Sequence, residues 1–243
     1  MLEAFLWGAF AASSLVVGGL IALRIEIPKR VLGLVLGFGA GVLISAVAYE
    51  LALEAFTTAG WTGGPALGFF AGVATFYVGD TIIDRMGGAG RKSMDPAARA
   101  GGVAMAIVLG TVLDGVPESA VIGMTLLEGG VSVAVIVAVF LSNLPEAVAA
   151  TASLREAGRS ERWVIGLWVA IALVSGLASL AGFAFLDGAP PGATAFVLAF
   201  AGGAILTMLA DTMMPEAFAN GGKLVGVVTS IGFAIAFVIS TLE

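Results

Sequence analysis

Acidic residues recur inside the long apolar segments of this chain, and several have a partner four residues away. Asp114 and Glu118 have this spacing, with Pro117 directly before the glutamate. Glu50 and Glu54 repeat the spacing without the proline. A charged group at the centre of a bilayer costs about 2.5–3.5 kcal/mol on insertion scales, so such residues usually face a polar interior. Because no lysine or arginine lies within the interior of these segments, a cation is the expected partner of the carboxylates.

The Pro-Glu pattern returns in two later segments, each time with a hydroxyl residue four positions before the glutamate: Ser142, Pro145 and Glu146, then Thr212, Pro215 and Glu216. Residues four apart lie on one face of a helix, so each pair can point at the same cation. A helical proline lacks a backbone N–H and crowds the carbonyl group four residues earlier. The carbonyl oxygens of Leu113 and Leu141 are therefore predicted to be freed as further ligands.

The composition is that of an integral membrane protein. Of the 243 residues, 59% are hydrophobic and 12% are charged, and the mean hydropathy is +1.07. Soluble globular domains of this size do not have such a composition. Cysteine and histidine are absent, which excludes thiolate and imidazole ligands and the usual catalytic zinc sites. The 11 basic residues form no large patch, so the sequence gives no support for nucleic-acid binding.

Eight hydrophobic runs are long enough to cross about 30 Å of hydrocarbon. They lie near residues 4–23, 31–56, 64–86, 101–127, 130–154, 162–186, 193–218 and 222–242. The connections between them are short, and the longest lies near 87–100. The sequence therefore predicts an all-α protein of eight transmembrane helices, with residues 1–243 forming a single transmembrane domain.

Basic residues predict the orientation of these helices. All of them lie in or beside the connections after the first, third, fifth and seventh runs. The alternate connections, near 57–63, 128–130 and 187–192, carry none, and neither does either terminus. By the positive-inside rule, a multi-pass protein of the cell membrane with both termini outside the cytoplasm is expected. Tryptophans near the predicted helix ends are typical of interfacial anchors: Trp7, Trp61, Trp163 and Trp168.

The second and seventh runs are similar to each other at a constant offset of 162 residues. Residues 41–45 (Gly-Val-Leu-Ile-Ser) align with 203–207 (Gly-Ala-Ile-Leu-Thr), and Glu-Ala-Phe at 54–56 aligns with Glu-Ala-Phe at 216–218. The expected orientation runs these two helices in opposite directions. The pattern therefore predicts an inverted repeat of helices 1–3 and 6–8 around helices 4 and 5. Many alternating-access transporters are built in this way, with their sites near the midplane.

Two stretches of the chain resemble the paired signature helices of the ZIP (Zrt-, Irt-like) family of divalent-metal transporters. They are residues 114–123 (DGVPESAVIG) and 142–147 (SNLPEA). Residues 211–217 (DTMMPEA) resemble the seventh-helix motif of that family, and residues 50–55 (ELALEA) resemble its second-helix motif. The resemblance covers essentially the whole chain. It implies eight helices, outside termini, and a metal site held by helices 4 and 5.

The resemblance implies a primary metal site made of Asp114, Glu118, Ser142 and Glu146, with Asn143 at its edge. The family usually has histidine at the position of Asp114 and often histidine or glutamine at that of Ser142. This chain is therefore similar to a divergent member that has lost its nitrogen ligands. The family's sixth-helix acid, which completes a second metal site in some members, falls near position 179, a serine. Whether there are one or two metal sites stays open.

Other acids lie nearer to the helix ends and have two interpretations. Glu50 and Glu54 are expected near the outer end of the second helix, and Asp211 and Glu216 near the inner end of the seventh. Each pair is either a set of solvated surface groups or part of the entrance or exit pathway. Asp80, near the inner end of the third run, is predicted to be solvated or paired with a nearby arginine.

The leading interpretation is a transporter, not an enzyme, that moves divalent metal into the cytoplasm. An all-oxygen site suits hard or borderline ions, so Zn²⁺ together with Mn²⁺ or Fe²⁺ is the expected substrate, and no cofactor is expected. A proton- or cation-coupled carrier of another solute is the main alternative, since carboxylate pairs also relay protons. A polytopic membrane metalloenzyme is less favoured. The expected partners are the metal ion and the lipid bilayer, with no nucleic acid, and a homodimer is left open.

Overall fold

The computed structural model describes residues 1–59, 63–88, 104–128 and 130–242. These residues form eight helices with no strand among them: Leu2–Ala22 (α1), Lys29–Ala59 (α2), Gly63–Gly88 (α3), Ala104–Thr125 (α4), Val133–Glu156 (α5), Glu161–Leu186 (α6), Pro191–Gly221 (α7) and Leu224–Ser240 (α8). Most of the predicted connection at 87–100, the predicted start of the fourth span at 101, and Trp61 lie outside the described residues.

Seven of these helices, α1 to α7, are long and apolar enough to cross a membrane. The eighth, α8, is apolar but has only 17 residues. A spanning helix needs about 20 apolar residues, because each residue rises only about 1.5 Å. The predicted all-helical membrane protein is therefore confirmed at the level of these seven helices.

Side chains and backbone at the links explain where several helices begin and end. The Ser132 hydroxyl accepts a hydrogen bond from the backbone N–H of Val135 at 3.2 Å, and Ser160 accepts one from Trp163 at 3.3 Å. Each bond satisfies one of the N–H groups that a helix start leaves without a partner. At the end of α7, Gly222 has a φ of 66°, a conformation that glycine adopts at low cost. These local signals fix the starts of α5 and α6 and the end of α7.

Helix backbones approach closely where one of them carries glycine. A Cβ atom at Gly41 in α2 would overlap the carbonyl oxygen of Thr229 in α8. A Cβ atom at Gly203 in α7 would overlap the carbonyl oxygen of Phe69 in α3. In lipid, helices associate through van der Waals packing of small residues rather than through burial of apolar surface from water. These glycines therefore hold α2 against α8 and α3 against α7.

The remaining helices pack around α4 and α5. Helix α1 lies along α5 and α6, and α6 also lies along α4. Helix α2 meets α5 at Gly39, where a Cβ atom would lie 3.2 Å from the backbone nitrogen of Ser142. Helices α4 and α5 contact each other over a smaller area than α4 contacts α6 or α5 contacts α1. The bundle thus places the polar faces of α4 and α5 in its interior.

In the described residues, π-helical turns lie at Val47–Leu53 in α2 and Leu209–Met213 in α7, whereas the end of α3 has a kink at Gly87, where φ is 93°. A π turn inserts one residue into the α-helical register, and such turns are frequent at functional sites. The turn in α2 contains Glu50, and the turn in α7 contains Asp211. Both acids were predicted as pathway residues, so the irregular backbone coincides with the acidic motifs.

The two tryptophans of α6 occupy different environments. Trp163 is 38% exposed, and the Arg159 guanidinium lies 4.7 Å from the centre of its ring, in keeping with an interfacial anchor. Trp168 is fully buried, packs on Gly19 of α1, and donates a hydrogen bond from Nε1 to the Thr151 hydroxyl at 2.9 Å. The prediction that Trp168 anchors the chain at the interface is therefore wrong. It fills the space between α1, α5 and α6.

Candidate metal site

A stripe of polar side chains runs along the buried face of α4. Its members, each 9% exposed or less, are Thr111, Asp114, Glu118 and Thr125. Their spacing of three, four and seven residues matches the helical repeat of 3.6, so they share one face. Asp114 and Glu118 are each 2% exposed. Burying two carboxylates one turn apart is costly unless a cation or a proton compensates their charge, so this stripe is suited to holding cations.

Both predicted helix-interior prolines lie within continuous helices. Pro117 is inside α4 and Pro145 is inside α5. Neither has a backbone N–H, so the carbonyl oxygens of Leu113 and Leu141 lack the donor that a regular helix would supply. Membrane helices tolerate such a loss where the backbone faces a polar interior. Each motif therefore adds one carbonyl oxygen to the side-chain donors.

The polar residues of α5 face the interior to different degrees. Ser142 and Asn143 are 2% and 3% exposed, whereas Glu146 is half-buried. The Ser142 hydroxyl donates its proton to the Val139 carbonyl oxygen at 3.1 Å, which leaves lone pairs on Ser142 Oγ for a cation. The hydroxyl, amide and carboxylate are all oxygen donors, which suits hard or borderline ions.

The acids of the two helices do not form one tight cluster. Within the part of the chain that the structure describes, no three acidic side chains lie close enough to hold a single metal ion. The candidate site is thus an acidic pair on α4, Asp114 and Glu118, and a separate polar set on α5 that contains Glu146. A cation bound by all three carboxylates requires these side chains to lie closer together than they do here. The predicted five-residue site stays a prediction.

Glu54 of α2 and Glu216 of α7 have similar local partners. Glu54 Oε1 accepts a hydrogen bond from the Thr58 hydroxyl at 2.8 Å, and Glu216 Oε1 accepts one from Asn220 Nδ2 at 2.7 Å. Glu54 directly follows the π turn of α2, and Glu216 lies three residues after the end of the π turn of α7. Each partner lies four residues further along, so both carboxylates are held on the surface of their own helix.

Three further acids differ in burial. Glu50 is half-buried, with its Oε2 atom inaccessible to solvent, and Asp211 is exposed. Asp80 is only 6% exposed, so of its two predicted alternatives the solvated one is wrong, and pairing with a nearby arginine stays a prediction. Gly79, the residue before it, packs on α4, where a Cβ atom would lie 3.1 Å from the Leu113 side chain.

A buried hydroxyl next to Gly115 of α4 was not predicted. Ser175 in α6 is 3% exposed, and its Oγ lies 3.7 Å from the Cβ position of Gly115, the residue after Asp114. Ser179, nearer to the expected position of a sixth-helix ligand, donates a hydrogen bond to the Ala4 carbonyl oxygen at 2.7 Å. Ser179 thus serves the contact between α1 and α6, and Ser175 is the α6 hydroxyl that faces α4. The spacing of the two serines on one helical face was the available signal.

Comparisons with known proteins do not identify the family of this chain. No protein-family model matches the chain, and no curated protein matches it. The resemblance to the ZIP family is therefore carried by the motif residues of α2, α4, α5 and α7 alone. Their chemical role is inferred from their positions in the bundle.

Proposed function

We propose that this protein is a ZIP-type carrier that moves divalent metal cations across the cell membrane into the cytoplasm. The observation that carries the proposal is the burial of Asp114 and Glu118, each 2% exposed and one turn apart on α4, within a bundle of apolar helices. Acids in such a position are costly to insert and mark ion pathways. Ser142, Asn143 and Glu146 on α5 supply the facing donors.

The proposed substrate is Zn²⁺ together with Mn²⁺ or Fe²⁺. All side-chain donors of the candidate site are oxygens, and the sequence contains no histidine or cysteine. Nitrogen and sulfur ligands favour Zn²⁺ strongly, whereas carboxylate and carbonyl oxygens also accept harder ions. The absence of nitrogen ligands reduces the difference in affinity between Zn²⁺ and the harder ions. It therefore supports a carrier of low affinity and broad selectivity.

The proposed architecture has eight spans and an inverted repeat. Helix α8, with 17 residues, is at the short end of the range of about 17–25 that can cross a bilayer. The repeat is supported by helix boundaries, because the segments Lys29–Ala46 and Pro191–Met208 coincide at the 162-residue offset. The π turns that follow them begin at Val47 and Leu209, which have the same offset.

Glycine contacts also support the repeat. Gly41 of α2 packs on α8, and Gly203 of α7, 162 residues later, packs on α3. In a second pair of contacts, Gly232 packs on the carbonyl group of Phe38 and Gly72 on that of Phe200; the two phenylalanines are 162 residues apart and the two glycines 160. Two unrelated halves would have no reason to repeat both the contact and the residue type.

The proposed orientation predicts which ends of α7 are reachable from outside. Asp187 and Lys223 flank this helix and are exposed, and the chain has no natural cysteine. Cysteine at these positions also avoids the neighbouring Gly188 and Gly222, whose φ values of 74° and 66° disfavour other residues. In sealed cells, Asp187→Cys should react with a membrane-impermeant thiol reagent and Lys223→Cys should not. The opposite labelling pattern would reverse the proposed direction of transport.

Uptake by the purified protein in sealed vesicles tests the proposed function. Vesicles that contain a metal-sensitive dye should take up Zn²⁺ and Mn²⁺ along an inward gradient, faster than protein-free vesicles and with saturation. Failure to take up any of Zn²⁺, Mn²⁺ and Fe²⁺, with the protein shown by labelling to be inserted, would rule the proposal out.

A proton- or cation-coupled carrier of another solute is a second candidate, and one observation favours it. Among the described residues, no three acidic side chains are arranged to hold one metal ion. A buried acidic pair such as Asp114 and Glu118 can also relay protons. Under this alternative, a pH-sensitive dye in the vesicles reports proton movement in the absence of metal, and added Zn²⁺ is not taken up.

A further inference from the structure

Two large apolar side chains, one from each π turn of α2 and α7, rest on a glycine of the other helix. Leu51 is 1% exposed, and its Cβ lies 3.4 Å from the Cβ position of Gly202 in α7. Met213 is 2% exposed, and its Cε lies 3.4 Å from the Cβ position of Gly39 in α2. Each side chain therefore packs directly against the backbone of the opposite helix. Leu51 and Met213 are separated by the same 162 residues as the proposed repeat.

The Met213 contact borders the candidate metal site. The Cβ position of Gly39 that Met213 touches also lies 3.2 Å from the backbone nitrogen of Ser142. Met213 and Ser142 thus meet at the same point of α2. The methionine side chain therefore packs where α2 and α5 approach each other, beside Ser142.

In the proposed orientation, the Leu51 contact lies on the opposite side of the membrane's centre from the Met213 contact. Leu51 is twelve residues beyond Gly39 on α2, or roughly 18 Å at about 1.5 Å per residue. Asp114 lies at the middle of α4, and the proposed carrier has its site between the two levels that Leu51 and Met213 define. In the proposed orientation, Leu51 is on the outer side of the buried acids and Met213 is on the cytoplasmic side.

A cavity lies on the proposed cytoplasmic side of the contact between Gly39 and Ser142. It has a volume of about 580 Å³ and lies between the link from α1 to α2 and the cytoplasmic half of α5. Its walls include Leu32, two turns before Gly39, and Ala149 and Ala152, which follow Glu146 on α5. Helices α2 and α5 therefore separate below their close approach at Gly39 and Ser142. Met213 packs on Gly39 at that close approach.

We propose that Leu51 and Met213 are paired apolar seals of the transport path, Leu51 towards the outside and Met213 towards the cytoplasm. This inference rests on the proposed transport function. An apolar constriction blocks hydrated ions because it dewets: water molecules, and the ions they hydrate, are unstable inside it. A carrier needs one such barrier on each side of its site, and the mirrored contacts supply two. Helices kink at π turns, which gives each seal a point about which it moves.

Cysteine accessibility measures these seals without any metal. Because the chain contains no cysteine, Ser142→Cys is the single reporter for a membrane-impermeant thiol reagent added to one side of sealed vesicles. Met213→Ala should raise the reaction rate from the cytoplasmic side by about tenfold or more, since shortening a buried methionine opens a cavity beside Gly39. Leu51→Ala should do the same from the outer side. Each change should leave the rate from the opposite side as in the reporter protein.

Matched controls separate sealing from general loosening of the bundle. Met208→Ala and Leu43→Ala remove side chains from the same helices that are equally buried, at 1% and 2% exposed. Both should leave the reporter's rate unchanged from either side. If an alanine variant is not recovered folded, Met213→Val and Leu51→Val should give smaller increases on the same sides.

The outcomes distinguish the seals from the transport function. Side-specific increases in the two seal variants, absent from the controls, support the inference. A reporter that stays unreactive in every variant, or increases that the control variants share, would overturn it. Metal uptake by vesicles containing the parent protein is measured separately. Absence of uptake would rule out the transport function, whereas the accessibility result would still stand.

Discussion

Glu118→Gln should abolish metal uptake while the protein still folds and inserts. The amide keeps the shape of the side chain but removes the charge of a carboxylate that is 2% exposed on α4. Changes outside the first ligand shell already cost about 10–100-fold in metal affinity or activity, so loss of a direct ligand should lower uptake by at least about 100-fold. Initial rates of Zn²⁺ and Mn²⁺ uptake by vesicles of equal protein content measure the effect.

Glu146→Gln, on the facing helix α5, should also abolish metal uptake. Glu146 is half-buried on α5, and the proposal makes it a ligand shared with the acidic pair of α4. Glu3→Gln is the matched control, because Glu3 is an exposed acid at the start of α1. It should transport like the parent protein. Near-normal uptake by both site variants would show that the path does not use these carboxylates.

Asp114→His should shift the preference of the carrier towards Zn²⁺. The change introduces an imidazole nitrogen at the centre of a site that otherwise contains only oxygen donors. Zinc gains more from nitrogen ligands than manganese does. The ratio of Zn²⁺ to Mn²⁺ uptake in a mixture should rise by about tenfold, equivalent to roughly 1.4 kcal/mol.

The same substitution elsewhere on the path's helices tests whether position matters. Asp211 is an exposed acid in the π turn of α7, and Asp211→His should leave the ratio of Zn²⁺ to Mn²⁺ uptake unchanged. If the parent already transports Zn²⁺ alone, the geometry of the site outweighs the type of its ligands. An equal shift in both histidine variants would mean that the site's position is irrelevant to selectivity.

Burial of the acidic pair and the course of the helices were predictable from the sequence. Long apolar runs leave few other structures open to the chain in a membrane, so seven of the eight predicted runs correspond to helices of spanning length. The spacing of Asp114 and Glu118 places both on one helical face, and the structure puts that face in the interior. These inferences needed only the helical period and the cost of exposing charge to lipid.

Other features depend on how the helices pack, which their individual sequences do not specify. Nothing in residues 47–53 distinguishes a π turn from regular helix, although the turn sets the position of Leu51. Trp168 and Asp80 were placed at the surface because they lie near the ends of apolar runs. Trp168 is buried because Gly19 of α1 leaves room for its ring. Asp80 is buried in the bundle although it lies near the end of an apolar run.

The most direct test of the proposed site is the position of a bound metal ion. Crystals grown with Zn²⁺ at a concentration that saturates uptake, measured at the zinc absorption edge, locate the ion by its anomalous signal. We expect one peak between α4 and α5, within about 2.2 Å of a carboxylate oxygen of Asp114 or Glu118, and its loss in Glu118→Gln. A peak bound only by residues outside α4 and α5, or no peak in protein that transports Zn²⁺, would contradict the account.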